Sequence, residues 1–223
     1  MGRTSAGAEL FTTKDADALE AQLTSVSAVA PTAQKSMSAI VGNQNWRTTV
    51  VGTTNDYLGI NNLELEDGRA FTEGEARSGR VVCIVGATVR SSLFGMQDPI
   101  GSSVRLERIS CEIVGLLKSK GGQTSLGMDP DDLILLPLST FHRRIAGNDQ
   151  VTQIHASVSV GSSTTKAEGD ITGLLRERRR IGDGDDDDFT VIDMADIVET
   201  LTSTTQLLTM LPVSYTHLTL PTS

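Results

Sequence analysis

Apolar and polar positions recur along this chain with two different periods, and each change of period marks an element. TTKDADALEAQL puts Ala16, Leu19 and Leu23 on one face at helical spacing, with Thr12 or Thr13 to cap it and Asp15 at its positive end. Three strand-like runs follow, VSAVAP, KSMSAIVG and WRTTVVGT, and then TTNDYLGI as a turn holding one helical turn. Gly68, Arg69 and Phe71 lead into a charged helical patch, TEGEARSG. RVVCIVGA is short, continuous and rich in Val and Ile, which predicts a strand buried on both faces. ATVRSSLFG predicts a two-turn helix closed at Gly95, and Asp98-Pro99-Ile100-Gly101 is a turn by its chemistry. SVRLER and ISCEIVGLL are expected to pair antiparallel, with KSKGGQTSLGMDPDD as a mobile loop. LILLP reads as another buried strand, followed by Ser139 capping TFHRRIA up to Gly147.

Beyond Val151 the period becomes two. Ile154, Ala156, Val158 and Val160 alternate with Gln153, His155, Ser157 and Ser159, the pattern of a half-buried strand with His155 on its polar face. Thr165 and Glu168 make a capping box for a helix whose stripe is Ala167, Ile171, Leu174 and Leu175. Arg176, Arg178, Arg179 and Arg180 suit the negative end of its macrodipole. After GDGDDDD come a strand, FTVI, and a last helix capped by Asp193 with Met194, Ile197, Val198, Leu201 and Leu208 at helical spacing. Both ends of the chain therefore read strand–helix–strand around a different middle. That predicts an α+β fold in which a split domain carries an inserted one.

Composition narrows the function classes. The 223 residues carry 19 Lys+Arg against 28 Asp+Glu, a net charge of -9, which argues against nucleic-acid binding because that needs basic residues clustered on one face. No apolar run approaches the ~18 residues of a membrane helix, and MGRTSAGAELFTT lacks the apolar region of a signal peptide. Cys83 and Cys111 each sit in an apolar run; we read them as two small core residues, with a single bridge as the alternative.

No catalytic constellation emerges, so the chain is not read as an enzyme. There is no phosphate-binding loop; Gly121-Gly122-Gln123-Thr124 imitates one but lacks the lysine. His142, His155 and His217 are scattered and read as solvated side chains. Asp183, Asp185 and Asp187 match three positions of a calcium loop, but Asp188 and Met194 stand where Gly and Glu are required, so no metal site is expected and the run reads as a solvated connector. Trp46, the single tryptophan, reads as half-buried packing, with a partner anchor as the alternative.

In succession, GNQNWRTTVVGTTNDYLGI, LEDGRAFTEGEARSGRVVCIVGATV, LFGMQDPIGSSVRL, DPDDLILLPLSTFHRRIAG and DDDDFTVIDMADIVETLTSTTQLLTML resemble the periplasmic core domain of MacB-type ABC transporter permeases. The resemblance covers nearly all of residues 10 to 211. It implies a porter-like α/β subdomain from residues 1–70 and 147–211, with a mostly β subdomain inserted at 71–146. It also implies a place at the periplasmic face of the inner membrane, between two membrane helices of a homodimeric exporter. Such exporters use no cofactor in this domain; cytoplasmic ATP hydrolysis drives efflux of small molecules or peptides through an adaptor protein and an outer-membrane channel. Gln123, Asp131 and Asp132, with Trp46, are the expected partner contacts. Related permeases release lipoproteins or control cell-wall hydrolases, and a free-standing binding module is a further alternative. Residues 212–223, from Pro212 on, depart from the family and read as foreign sequence. The two ends of the domain are expected to lie close together, so that flanking membrane helices act on one sheet.

Overall fold

The computed structural model describes residues 10–121 and 129–194. The chain divides into two compact units, Met1–Phe189 and Thr190–Ser223, and every element below belongs to the first. Gln123, the last helix beyond Met194 and the tail 212–223 lie outside the described residues.

A two-residue strand β1 (Phe11–Thr12) runs into α1 (Thr13–Gln22). The Thr12 amide and hydroxyl both donate to the Asp15 carboxylate, at 2.9 and 3.0 Å, which fixes the helix start. Next comes β2 (Val26–Val41), one strand of 16 residues where the pattern predicted two, VSAVAP and KSMSAIVG. Pro31 does not break it. The ladder to β3 (Gln44–Thr53) begins at Ala33, so the missing N–H removes no bond from it. The Pro31 carbonyl instead accepts the Thr53 hydroxyl at 3.2 Å.

The middle comprises α2 (Asp56–Ile60), β4 (Leu65–Gly68), α3 (Glu73–Ser78), β5 (Val82–Val85) and α4 (Ala87–Phe94). It continues through β6 (Ser103–Leu106), β7 (Ile109–Leu117), β8 (Leu133–Pro137) and α5 (Leu138–Phe141), which runs on as a wide helical turn over His142–Ala146. The last elements are β9 (Gln150–Val151), β10 (Gln153–Val158) and α6 (Thr164–Arg179). Eight strands share one sheet in the order β10-β2-β3-β8-β5-β7-β4, with β6 bridging β2 and β7. β3 pairs with β8 and β5 with β7 in parallel. The antiparallel pairing of β6 with β7 is the one the sequence predicts.

Period-two alternation sorts the side chains into separate cores. Cys83 and Val85 of β5 and Ile134 and Leu136 of β8 face one core with Val89 and Leu93 of α4. Val82, Ile84 and Leu135 face the other side, with Phe71 and Val114. A third core lies under α1 and α6, where Leu19, Val26, Val29, Ala167, Leu174 and Leu175 are buried. Gly52 is required by close packing: a Cβ there would lie 2.3 Å from the Phe141 Cβ, so a larger residue would push α5 off the sheet.

Several local expectations are corrected. Ser139 does not cap a helix; α5 starts after Pro137, and the Ser139 hydroxyl donates to the Ala76 carbonyl. The cap of α6 is Ser163, which accepts the Lys166 amide at 3.1 Å, rather than the Thr165–Glu168 box. Val160 is fully exposed because the ladder bulges at Ser157/Val158 and β10 ends there. FTVI forms no strand. Cys83 and Cys111 are joined in a disulfide, Cα to Cα 5.9 Å, where two unlinked core residues were preferred. They meet because β5 and β7 are parallel neighbours and both residues face the same core.

The buried Glu75 organises the start of α3. Arg69 donates to it with both guanidinium nitrogens, at 2.7 and 2.8 Å, and the Thr72 amide adds a bond at 2.9 Å. These bonds, the arginine's foremost, outweigh burial and bring its pKa from 4.5 to about 2.

Cys111→Ser should cost about 2–4 kcal/mol in a denaturant titration, the usual range for losing a native disulfide; an unchanged midpoint contradicts the bridge. The stabilisation from Glu75 is present above pH 4.5 and is lost as the pH falls toward about 2, because protonation breaks the pair. Glu75→Gln should therefore lower stability at neutral pH and flatten that acid limb; equal slopes for the two proteins refute the assignment.

Candidate functional site

Phe11 opens the first described strand and Phe189 is the last residue of the first compact unit, and α6 brings these two points together. At the C-terminus of α6, Arg180 adopts a left-handed conformation with φ 56°, which reverses the chain. The Ile181 amide bonds back to the Arg176 carbonyl at 2.9 Å. The acidic run stays exposed over residues 182–187, as a solvated connector does, and also folds back onto the arginines. Arg176 donates to the Gly182 carbonyl at 2.6 Å, to the Asp185 carbonyl at 3.2 Å and to the Asp187 carboxylate.

Arg179 sits at the centre of the join. Its side chain is only 8% exposed, so the guanidinium is held by protein rather than water. It lies 4.6 Å over the Phe11 ring and 5.7 Å from the Phe189 ring, and pairs with Asp188 at 2.7 Å. The two rings are tilted against each other, with centroids 6.4 Å apart. A desolvated cation over an aromatic face is worth up to about 2 kcal/mol. Beside it, Arg178 donates to Asp15 at 3.0 Å, tying the end of α6 to the start of α1. Burial alone would raise the Asp15 pKa, but the bonds from Thr12 and Arg178 outweigh it and hold the carboxyl below its usual value.

A second cluster lies where β3 extends past the start of β8. Trp46, 37% exposed, donates its indole N–H to the Asp132 carboxylate at 2.9 Å. Two of the sequence-selected contact residues thus meet across 86 positions of chain. Asp131 turns inward instead, accepting the Ser119 hydroxyl at 2.5 Å and the Lys120 amide at 2.9 Å. Burial raises its pKa, yet these bonds bring it below the ordinary carboxylate value. Asp129 accepts the Thr88 hydroxyl at 2.6 Å and the Asp131 amide at 2.8 Å. Gly86 is required beside them, since a Cβ would come within 2.2 Å of the Asp131 carbonyl.

His155 is not a solvated side chain. It is partly buried, with its ring edge-on to Tyr57 at 5.2 Å, and burial pushes its pKa down and that of Tyr57 up. Sequence reasoning missed this pair and the Arg179 join; an Arg run beside an Asp run was the available signal for the second. Among the described residues no three His, Cys, Asp or Glu side chains are grouped to hold a metal ion, and no helix is long and apolar enough to cross a membrane.

Residues 2–174 match the family of MacB-like periplasmic core domains. The chain belongs to that family. This core domain is 33% identical over 201 residues to the macrolide export ATP-binding/permease protein MacB of Chlorobium luteolum, covering 90% of this chain. It spans about 30% of that relative's length. The fold is that of the crystallised periplasmic region of MacB from Actinobacillus actinomycetemcomitans, with TM-score 0.75 and 21% identity over 90% of this chain and 86% of the other. It also matches the extracellular domain of the ABC-type transporter YknZ from Gram-positive bacteria, with TM-score 0.68 and 21% identity over 82% of this chain and 90% of that one. The domain is thus a periplasmic α+β domain of a MacB-like ABC transporter permease, and a disulfide suits that oxidising compartment.

The single tryptophan gives a direct test of the β3 cluster. Asp132→Ala should shift Trp46 emission to the red as the indole loses its partner, with stability changed by no more than about 1 kcal/mol, as for a partly exposed hydrogen bond. An unmoved spectrum means that the two residues are apart in solution.

Proposed function

We propose that this domain is the extracytoplasmic coupling element of an exporter, transmitting movement of flanking membrane helices to an adaptor protein and an outer-membrane channel during efflux of small molecules or peptides. ATP hydrolysis on the cytoplasmic side drives that movement in a homodimer, and the domain itself performs no chemistry. The observation that carries the reading is the join of Phe11 to Phe189: segments entering and leaving there act on the domain at one point. In this reading residues 1–70 and 147–211 form the membrane-proximal, porter-like part, and 71–146 the inserted part that reaches the adaptor. Trp46 and Asp132 offer the contact surface, with Asp131 holding the backbone at Lys120, and Gln123 is included on the sequence alone.

The test is made in the full-length transporter. Trp46→Ala with Asp132→Ala should leave ATP turnover intact while lowering export about tenfold, the effect of losing roughly 1.4 kcal/mol of partner binding. Export at the parental rate overturns the contact surface. Export that survives replacement of the whole domain by a flexible linker overturns the coupling role.

A further inference from the structure

We propose that Arg179 is a latch that fixes the incoming and outgoing ends of the domain at one separation, so that load on either end is borne by both; this rests on the coupling reading above. Three observations on independent groups converge on it. The guanidinium is shared between a ring from each end, Phe11 at 4.6 Å and Phe189 at 5.7 Å, so neither ring can withdraw without uncovering the cation. Its charge is balanced by Asp188, the residue that immediately precedes the outgoing ring. Its Nε is buried with no hydrogen-bond partner, so the side chain is placed by the rings and the carboxylate rather than by a bonding network.

That combination favours a two-position device over a permanent staple. Bringing the guanidinium into water satisfies the orphan Nε, which partly offsets the loss of the ring contacts and of Asp188. Opening therefore costs less than breaking a fully bonded arginine. Arg178 with Asp15, Arg176 with Asp187 and the pairing of Phe11 with Val151 hold α6, the acidic run and β1 in place, so opening frees the segment from Phe189 onward without releasing the helix. Lysine cannot substitute, because a compact ammonium on a flexible stem cannot lie flat between two rings.

The test uses the full chain with spin labels at Leu10→Cys and Thr190→Cys, exposed positions next to the two rings; the native cysteines are in their disulfide and take no label. The parent should give one narrow distance distribution. Arg179→Met keeps the aliphatic length and should add a second, longer population while far-ultraviolet circular dichroism and the thermal midpoint of the body are retained. Arg179→Lys should show the second population too. Should Arg179→Met fail to fold, Phe189→Leu, which keeps apolar packing but removes the ring, is read in the same way. A single narrow distribution in the folded variants overturns the latch. The measurement involves no transport, so that outcome leaves the coupling role standing, whereas loss of coupling is judged by the export assay alone.

Discussion

The first half of β2 belongs to the core under α1 and α6, and its second half to the core under α4, so an unbroken run of backbone joins two hydrophobic clusters. Val26 and Val29 are held in the first and Met37 and Ala39 in the second; β10 pairs with residues 26–32 along one edge, β3 takes over with residues 33–41 along the other, and β6 joins at Ala39 and Ile40. One continuous extended strand anchored in a core at each end and laddered along its whole length resists bending, because curvature would break ladder bonds and uncover apolar surface together. The rest of the molecule is arranged along that strand. The Phe11–Arg179–Phe189 join is packed on the α1 and α6 side, and Trp46 stands across from Ala39 near the other end.

This geometry gives physical content to a mechanical role. In the proposed role, a pull at Phe11 or Phe189 acts on α1, β10 and α6, which share one apolar cluster with the start of β2. The far end of β2 carries the hairpin to β3, and with it Trp46 and its bond to Asp132. The disulfide between β5 and β7 stiffens that part of the sheet at a fully buried position, where it is shielded from reductant. No ionisable pair needs to change state for a movement to pass along such a frame.

Much of this fold was legible as local pattern. The continuous apolar runs VCIV and LILLP are buried strands, the stripe of Ala167, Leu174 and Leu175 faces a core, and the succession of motifs resembles the family to which the chain belongs. What escaped was set by partners distant in sequence. A period-two pattern cannot say that two runs, the first ending at Pro31 and the second starting at Lys35, are one strand, since that depends on where the β3 ladder starts. His155 looked solvated because Tyr57, which covers it, is 98 residues away. The bridge between Cys83 and Cys111 needed the β5–β7 pairing. The arginines of α6 were read as answering the helix dipole, but a left-handed Arg180 turns the acidic run back upon them. At the β3 cluster, the sequence pointed to Trp46, Asp131 and Asp132, while their division between an exposed pair and an inward carboxylate came only from the fold.

The central claim is that β2 behaves as one rigid member between the two cores, and native-state hydrogen exchange measures this directly. The bonded amides from Val26 to Val41 on either side of Pro31 should open together, with one denaturant dependence close to that of global unfolding. If those before Pro31 opened independently of those after Ala33, with a smaller denaturant dependence of their own, the strand would be two members joined by a hinge and the account would fail.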